Sequence, residues 1–599
     1  MNDIKQIAEQ VTMQSFANCY LRETGHYKLR SSSGFPQVKT EEEQVIVCKL
    51  PHQNLTLFFP VRYWSLTGRH QFTYPFYLQP GGDGTVITLD YISLVSLITK
   101  ELSLHHGQGN TQDELMLRVI LSCQNLSKYI ENREQDSVRL VQDDFDFIEA
   151  EQSLLLGHLL HPTPKSKQGI SDKEDKLYSP EMKGEFQLHY FKARQDYIIQ
   201  DSSLQHSAGQ QIINQLQNDP EISQEKIEQI LNEQSGFVLL PVHPLQAQAM
   251  LEDQEVKVLL KKGLLDYLGP LGSPYSATSS FRTVYRKDSE YMYKFSIPIK
   301  ITNSLRVNQQ KELDRGVEIS RLLETEVGSR LYEEFPGFEI IQDPAYLKLQ
   351  LPNSDSSYDV VLRGNPFYEG SRQVTLVAGL CQDHAYSEQS RLQVLIEKIA
   401  ASENRKVDEV SLDWFDRYLS LTLEPLLWLY RKYGIVLEAH QQNSIVKLQD
   451  GYPVQFYYRD NQGYYYSESK AEYLRKILPD LNKKSDTICA DDIAVERFRY
   501  YFFLNHLFGL INSFGMKGLI SEEPLIELLH ERLKQHEDEN SESSALLNSL
   551  LYDAQLPCKA NLLTRFYDMD ELIGSLANQS VYTLVENPLY RKVESVHGI

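Results

Sequence analysis

S-S-F-R-T-V-Y-R occupies residues 279–286, the short turn K-D-S-E follows at 287–290, and Y-M-Y-K-F-S-I-P-I-K-I-T-N-S-L-R runs from Tyr291 to Arg306. The spacing predicts a hairpin about the turn at Lys287–Glu290. Tyr291, Tyr293, Phe295 and Ile297 alternate on one side, with Met292, Lys294 and Ser296 on the other. The apolar side predicts a core face, and the other side holds Lys294 in a cleft. Arg282, Lys294 and Arg306 then form three cations on or beside the hairpin, with Ser280, Thr283, Thr302 and Asn303 between them. Fixed positive charge among short hydroxyl and amide donors suits a ligand with several anionic oxygens, a nucleotide phosphate or a polycarboxylate. An ordinary solvated hairpin edge is the other reading of these residues.

Working outward, a chain of 599 residues predicts two to four domains with a substantial core. Apolar residues at 41% and aromatic residues at 11% make it globular. The formal charge of −22 argues against a nucleic-acid groove, so any basic pocket must be local and close-packed. The cysteines at 19, 48, 123, 381, 489 and 558 show no C-x-x-C spacing, which favours a reducing compartment and no structural zinc. No stretch approaches the length of a membrane span and no leader pattern opens the chain, so a soluble cytoplasmic protein is expected.

Helices are expected at 3–24, 91–104, 112–131, 141–158, 311–332, 386–401 and 411–432. Pro425 is expected to kink or split the last of these. Strands are expected at 44–50, 54–63, 71–78, 237–242 and 340–349, with a loop at Pro270–Pro274. Two further stretches carry chemistry. G-H-L-L-H-P-T-P-K-S-K-Q-G, residues 157–169, places His161, Lys165 and Lys167 on a proline-stiffened loop that suits a phosphate contact; two histidines without a third ligand make no zinc site. G-I-V-L-E-A-H-Q-Q-N-S-I-V, residues 434–446, and V-Q-F-Y-Y-R-D-N-Q-G, residues 454–463, gather Glu438, His440, Gln442, Asn443 and Asp460. Such a set handles a nucleotide with its magnesium, Asp460 being the carboxylate toward the metal. A polar crossing between core strands fits the same residues. No G-x-x-x-x-G-K-[ST] is present, so an ordinary P-loop is excluded by pattern.

Together with Leu240–Gln246, these segments resemble the IucA/IucC family, the synthetases that build siderophores without a nonribosomal peptide machinery, over nearly the whole chain. The resemblance implies an α+β, multidomain cupped hand around one cleft: a thumb-like domain at 1–156, a fingers-like domain at 157–384 and a palm-like domain at 385–599, usually dimeric. It implies an ATP- and Mg²⁺-dependent ligase that adenylates a carboxyl of citrate or a citrate derivative and passes it to an amine, hydroxylamine, amino acid or amino alcohol. By that resemblance His161, Lys165, Ser280, Arg282, Thr283, Lys294, Gln442, Asn443 and Asp460 bind ATP, Asp460 also meeting the metal. Thr302, Asn303, Arg306, His440, Arg497 and Lys559 bind the carboxylate substrate, and Arg306, His440 and Lys294 act in catalysis. Lys167 stands where the family often has Arg, which keeps charge and loses a bidentate fork. A non-catalytic citrate or nucleotide sensor and a small-molecule phosphotransferase are the rival functions.

Overall fold

The computed structural model of the chain describes residues 3–81, 85–107, 112–232, 236–302, 304–351, 357–368, 370–460, 462–537, 544–569 and 580–591. The expected hairpin forms. Strand Thr283–Tyr285 pairs antiparallel with Tyr291–Phe295, Thr283 opposite Lys294, at the centre of an eight-stranded antiparallel sheet built from residues 185–364. The alternation predicted one buried face; both are buried. Tyr293 and Phe295 pack into one core and Met292 into another, so Lys294 is only 3% exposed although it borders the cleft.

A second difference concerns Arg306, which does not close that hairpin. Pro298 has no N–H to give a ladder. Beyond it Lys300–Ile301 and Ser304–Leu305 form a separate small hairpin that pairs with Lys167–Gln168. The loop bearing Lys165 is thereby stitched to the turn at Thr302, whose φ is +52°. Asn303 lies outside the described residues.

Helix Ile4–Thr24 is capped by Asp3 at its start and by Gly25, at φ +64°, at its end. It packs on a six-stranded sheet of residues 28–89. Leu562, Leu563 and Phe566 of helix Asn561–Phe566 enter this same core, so distant sequence completes the N-terminal layer. The largest core surrounds helix Val407–Tyr433, which stays continuous through Pro425. Burial of Trp414, Tyr418, Leu423, Leu427 and Tyr430 along its stripe outweighs the roughly 3 kcal/mol that an interior proline costs. Pro270 and Pro274, expected in a loop, lie in strand Leu265–Ala277, where register shifts between Tyr267 and Gly269 and between Leu271 and Tyr275 accommodate them. The expected helix over 141–158 contracts to Phe147–Gln152, set by the Asp146/Glu149 capping box. Helix 311–332 divides into Gln310–Leu323 and Glu326–Glu334.

Near the C-terminus, helix Asp491–Phe498 runs through a π-helical segment, Arg499–Leu507, into helix Phe508–Met516. The wider turn changes which side chains face the interior, a feature frequent at functional sites. Among the described residues no helix is long and apolar enough to cross a membrane.

Candidate active site

A cavity of about 450 Å³ opens where the eight-stranded sheet, the loop after Gly157, the strands around Glu438–Asp460 and the π-helical segment meet. Every described residue singled out from the sequence as a site residue lines it.

Ser280, Arg282 and Thr283 enter from a tight loop in which Phe281 has φ +68°, a strained conformation for a bulky side chain. The Ser280 hydroxyl accepts from Thr283 N–H at 3.1 Å, and the buried Thr283 Oγ1 has no partner among the described residues. Arg282 is held open as a fork, donating to Asn308 Oδ1 at 2.8 Å and Gln462 Oε1 at 2.7 Å. Asn308 is in turn fixed by Asp359 at 2.6 Å. Sequence reading missed Asn308, which sits in no motif, and Gln462, which lies within the 454–463 stretch but acts by through-space contact.

Lys294 Nζ donates to Asp460 Oδ1 at 2.8 Å, and Arg363, clamped on Asp343 at 2.7 and 2.9 Å, stands 3.8 Å from the same oxygen. Burial works against the Asp460 carboxylate, but Lys294 and Arg363 outweigh it and hold its pKa far below the usual range. Burial lowers the Lys294 pKa, opposed by Asp460. Asp460 itself has φ +100°, so its backbone is strained at the cavity wall. Arg363, absent from the sequence reading, belongs to this cluster because it lies opposite Met292 on the neighbouring strand.

His440 Nδ1 accepts from Gln442 N–H at 3.3 Å, and burial lowers its pKa to about 4. A neutral ring whose Nδ1 is an acceptor carries its proton on Nε2. Arg306 closes the small hairpin, donating to Ile301 O at 3.1 Å and Thr302 Oγ1 at 3.2 Å. The Thr302 carbonyl accepts from Arg118 Nη1 at 2.8 Å and Arg565 Nη1 at 3.4 Å, so helices from both ends of the chain pin this turn. At the far wall, Arg497 donates to Tyr582 Oη at 3.1 Å, and the Lys559 ammonium lies 5.9 Å from the centre of the Tyr500 ring. Glu438 accepts from the Tyr465 hydroxyl, and burial raises its pKa.

The loop after Gly157 differs from expectation. Gly157 is at φ +78°, and a Cβ there would lie 3.0 Å from Pro164 O, so the loop folds tightly on itself. His161 faces the cavity, its Nδ1 accepting from Thr163 N–H at 3.1 Å. Lys165 Nζ, expected on phosphate, donates instead to Leu154 O at 2.5 Å and Glu181 Oε1 at 2.6 Å; Lys167 Nζ lies 3.0 Å from Glu181 and 3.2 Å from Asp175. Both lysines are over nine-tenths buried. Their charge is offset inside the protein, and they brace the loop.

The IucA / IucC family pattern matches residues 146–382, and the pattern described as ferric iron reductase FhuF-like transporter matches residues 412–574. The spermidine-citrate ligase of Bacillus anthracis is 46% identical over 99% of this chain and 99% of its own length. The chain belongs to the IucA/IucC family. Another relative, the rhizobactin siderophore biosynthesis protein RhbC of Rhizobium meliloti, is 33% identical over 97% of this chain and 98% of its own length. ATP-bound aerobactin synthetase IucA from Klebsiella pneumoniae superposes with a TM-score of 0.87 at 27% identity, covering 97% of this chain and 100% of that one. In this family member the cleft cations expected from sequence are all present, while the charges of Lys165 and Lys167 are directed inward.

Among the described residues no group of three or more His, Cys, Asp or Glu side chains is placed to hold a metal ion. Mg²⁺ brought in with phosphates needs only one or two protein carboxylates. Asp460 at the cavity wall, kept ionised by its neighbours, fits that requirement.

Proposed function

We propose that this chain is an ATP-dependent ligase of citrate-based siderophore synthesis. A carboxylate oxygen of citrate attacks the α-phosphorus of ATP, forming an acyl-adenylate and releasing pyrophosphate; an amine then attacks the acyl carbon and releases AMP. The observation that carries the reading is the convergence of Arg282, Lys294, Arg306, Arg497 and Lys559 on one cavity within a chain of net charge −22. ATP and citrate together bring about seven negative charges, and fixed cations lining the cavity offset them where charge shifts in the transition state.

In this reading Arg282, Lys294 and Thr283 face the phosphates, with Ser280, Gln442 and Asn443 around the nucleotide. Thr302 and Arg306 lie at the junction with the carboxylate, and Arg497 and Lys559 hold the distal carboxylates. Asp460 would hold Mg²⁺, which when bound neutralises phosphate charge. His440, protonated on Nε2, donates a hydrogen bond to a substrate oxygen and serves to position it. The 46% relative named for joining spermidine to citrate makes a polyamine the first nucleophile to try. The cupped hand with divisions at 156/157 and 384/385, a homodimer and a cytoplasmic setting belong to the same proposal. The N-terminal layer and the eight-stranded sheet each have a core of their own, whereas the largest core joins Phe145, Ile319 and Leu380 to residues of the C-terminal half, across both proposed divisions.

The test is product identity with ATP, Mg²⁺, citrate and spermidine. AMP and pyrophosphate with a citryl amide support the ligase; ADP would assign a phosphotransferase; binding of both ligands without turnover would assign a sensor. Replacing spermidine with hydroxylamine separates failure of citrate activation from a wrong choice of amine.

A further inference from the structure

Glu151 ends no motif and lies behind the cavity wall, yet it is completely buried at the last turn of the short helix Phe147–Gln152. A buried carboxylate is costly unless it is paired and hydrogen-bonded. Its partners are all on loops that carry proposed nucleotide residues. Oε2 accepts from Ser279 N–H at 2.8 Å, one residue before Ser280. Arg459, one residue before Asp460, donates Nη1 to Oε1 at 2.5 Å and Nη2 to Oε2 at 3.3 Å.

Arg459 extends the clip. Its Nε and Nη2 donate to Gln442 O at 3.1 and 2.8 Å, and Nη2 also donates to Ser279 Oγ at 3.2 Å. Gln442 Nε2 closes the ring by donating to Ser279 O at 3.2 Å. The Ser279 loop and the neighbouring ends of the paired strands at Gln442 and Arg459, remote from it in sequence, are thus tied together by one buried ion pair. Among the described residues, the Thr302 carbonyl of the hairpin that carries Arg306 is pinned by Arg118 and Arg565.

We infer that Glu151, through Arg459, is the positioning residue of the nucleotide half of the site. It sets Ser280, Gln442 and the strained Asp460 in register without touching a substrate. This rests on the proposed assignment of those residues to ATP. The two halves of the site have separate supports, so loss of the clip separates ATP recognition from citrate recognition, whereas a general loss of folding weakens both.

The experiment measures ATP affinity by calorimetry in the presence of Mg²⁺, and the KM for citrate in the AMP-forming reaction at saturating ATP. Glu151→Gln keeps an acceptor for Ser279 N–H and removes the charge opposite Arg459. Its ATP affinity is expected to fall about tenfold or more, with the citrate KM within about twofold of the parent. Arg459→Lys keeps the charge opposite Glu151 but cannot hold Gln442 O and Ser279 Oγ together. It serves where Glu151→Gln fails to fold, and the same split is expected. Unchanged ATP affinity in a folded variant, or equal losses for ATP and citrate, overturns the assignment. A parent protein that itself does not bind ATP overturns the nucleotide reading first, and the role of Glu151 falls with it.

Discussion

Lys294→Met removes the ammonium from a pair in which Lys294 is 3% exposed and 2.8 Å from Asp460. Breaking a buried pair by deleting one partner costs about 3–5 kcal/mol, because the remaining charge stays desolvated. Here Arg363 remains 3.8 Å from the same carboxylate oxygen, an attraction of about 4 kcal/mol before desolvation at an effective dielectric near 20. The expected loss is therefore at the lower end, about 3 kcal/mol, or a melting point lowered by about 6–12 °C in a folding unit of about 200 residues. Asp460→Asn leaves Lys294 and Arg363 facing each other without the carboxylate and is expected to cost a similar amount. The double variant leaves neither charge stranded and should recover at least about 2 kcal/mol relative to the sum of the single losses. Activity should not follow stability. AMP formation is expected to stay down about 10²-fold or more in all three, roughly 3 kcal/mol of transition-state stabilisation. Melts of the four proteins beside AMP release provide the readout. Single effects that add within about 0.5 kcal/mol would refute the buried pair, and recovered turnover in the double variant would refute a role for Lys294 on the phosphates.

Arg306→Lys keeps the charge and loses the planar fork, so kcat should fall on the order of 10²-fold with little change in the KM for ATP; a rate within about threefold of the parent places Arg306 outside the reacting centre. Because burial lowers the His440 pKa to about 4, kcat/KM should show no limb near 6.5 from this residue, and its titration should surface only near pH 4; a His440→Gln variant that abolishes a limb at pH 6–7 would contradict the assigned state. Burial opposes ionisation of Asp175 and Glu181, but Lys167 with Lys128, and Lys165 with Lys167, bring their pKa values down to about 2 each. These are depressed carboxylates, so their stabilising effect, roughly 2–3 kcal/mol each, is complete above about pH 4.5 and is lost as pH falls toward 2; acid melts of Glu181→Gln should show a shallower decline over that window. Lys165→Ala should lower the melting point while changing ATP affinity less than Lys294→Met does, since its ammonium is held by Glu181 and Leu154; calorimetric titration with ATP checks this.

The sequence by itself determined the local chemistry. Alternation around a four-residue polar turn sufficed for the hairpin at 283–295, because strand period and turn composition are properties of neighbouring residues. The strings at 157–169, 279–306 and 434–463 named many of the side chains that line the cavity, since backbone turns and short spacings place them. Tertiary structure decided which of those charges face the cavity. Lys165 and Lys167 look like phosphate ligands in sequence, but Glu181 and Asp175 close over their ammonium groups. Asp460 meets Lys294 across 166 residues of chain, and Arg459 meets Glu151 across 308. Pro425 likewise reads as a break until the core on both sides of its helix is present. Ion pairing and burial depend on distance and desolvation in space, and no local pattern encodes which distant carboxylate will arrive beside a given cation.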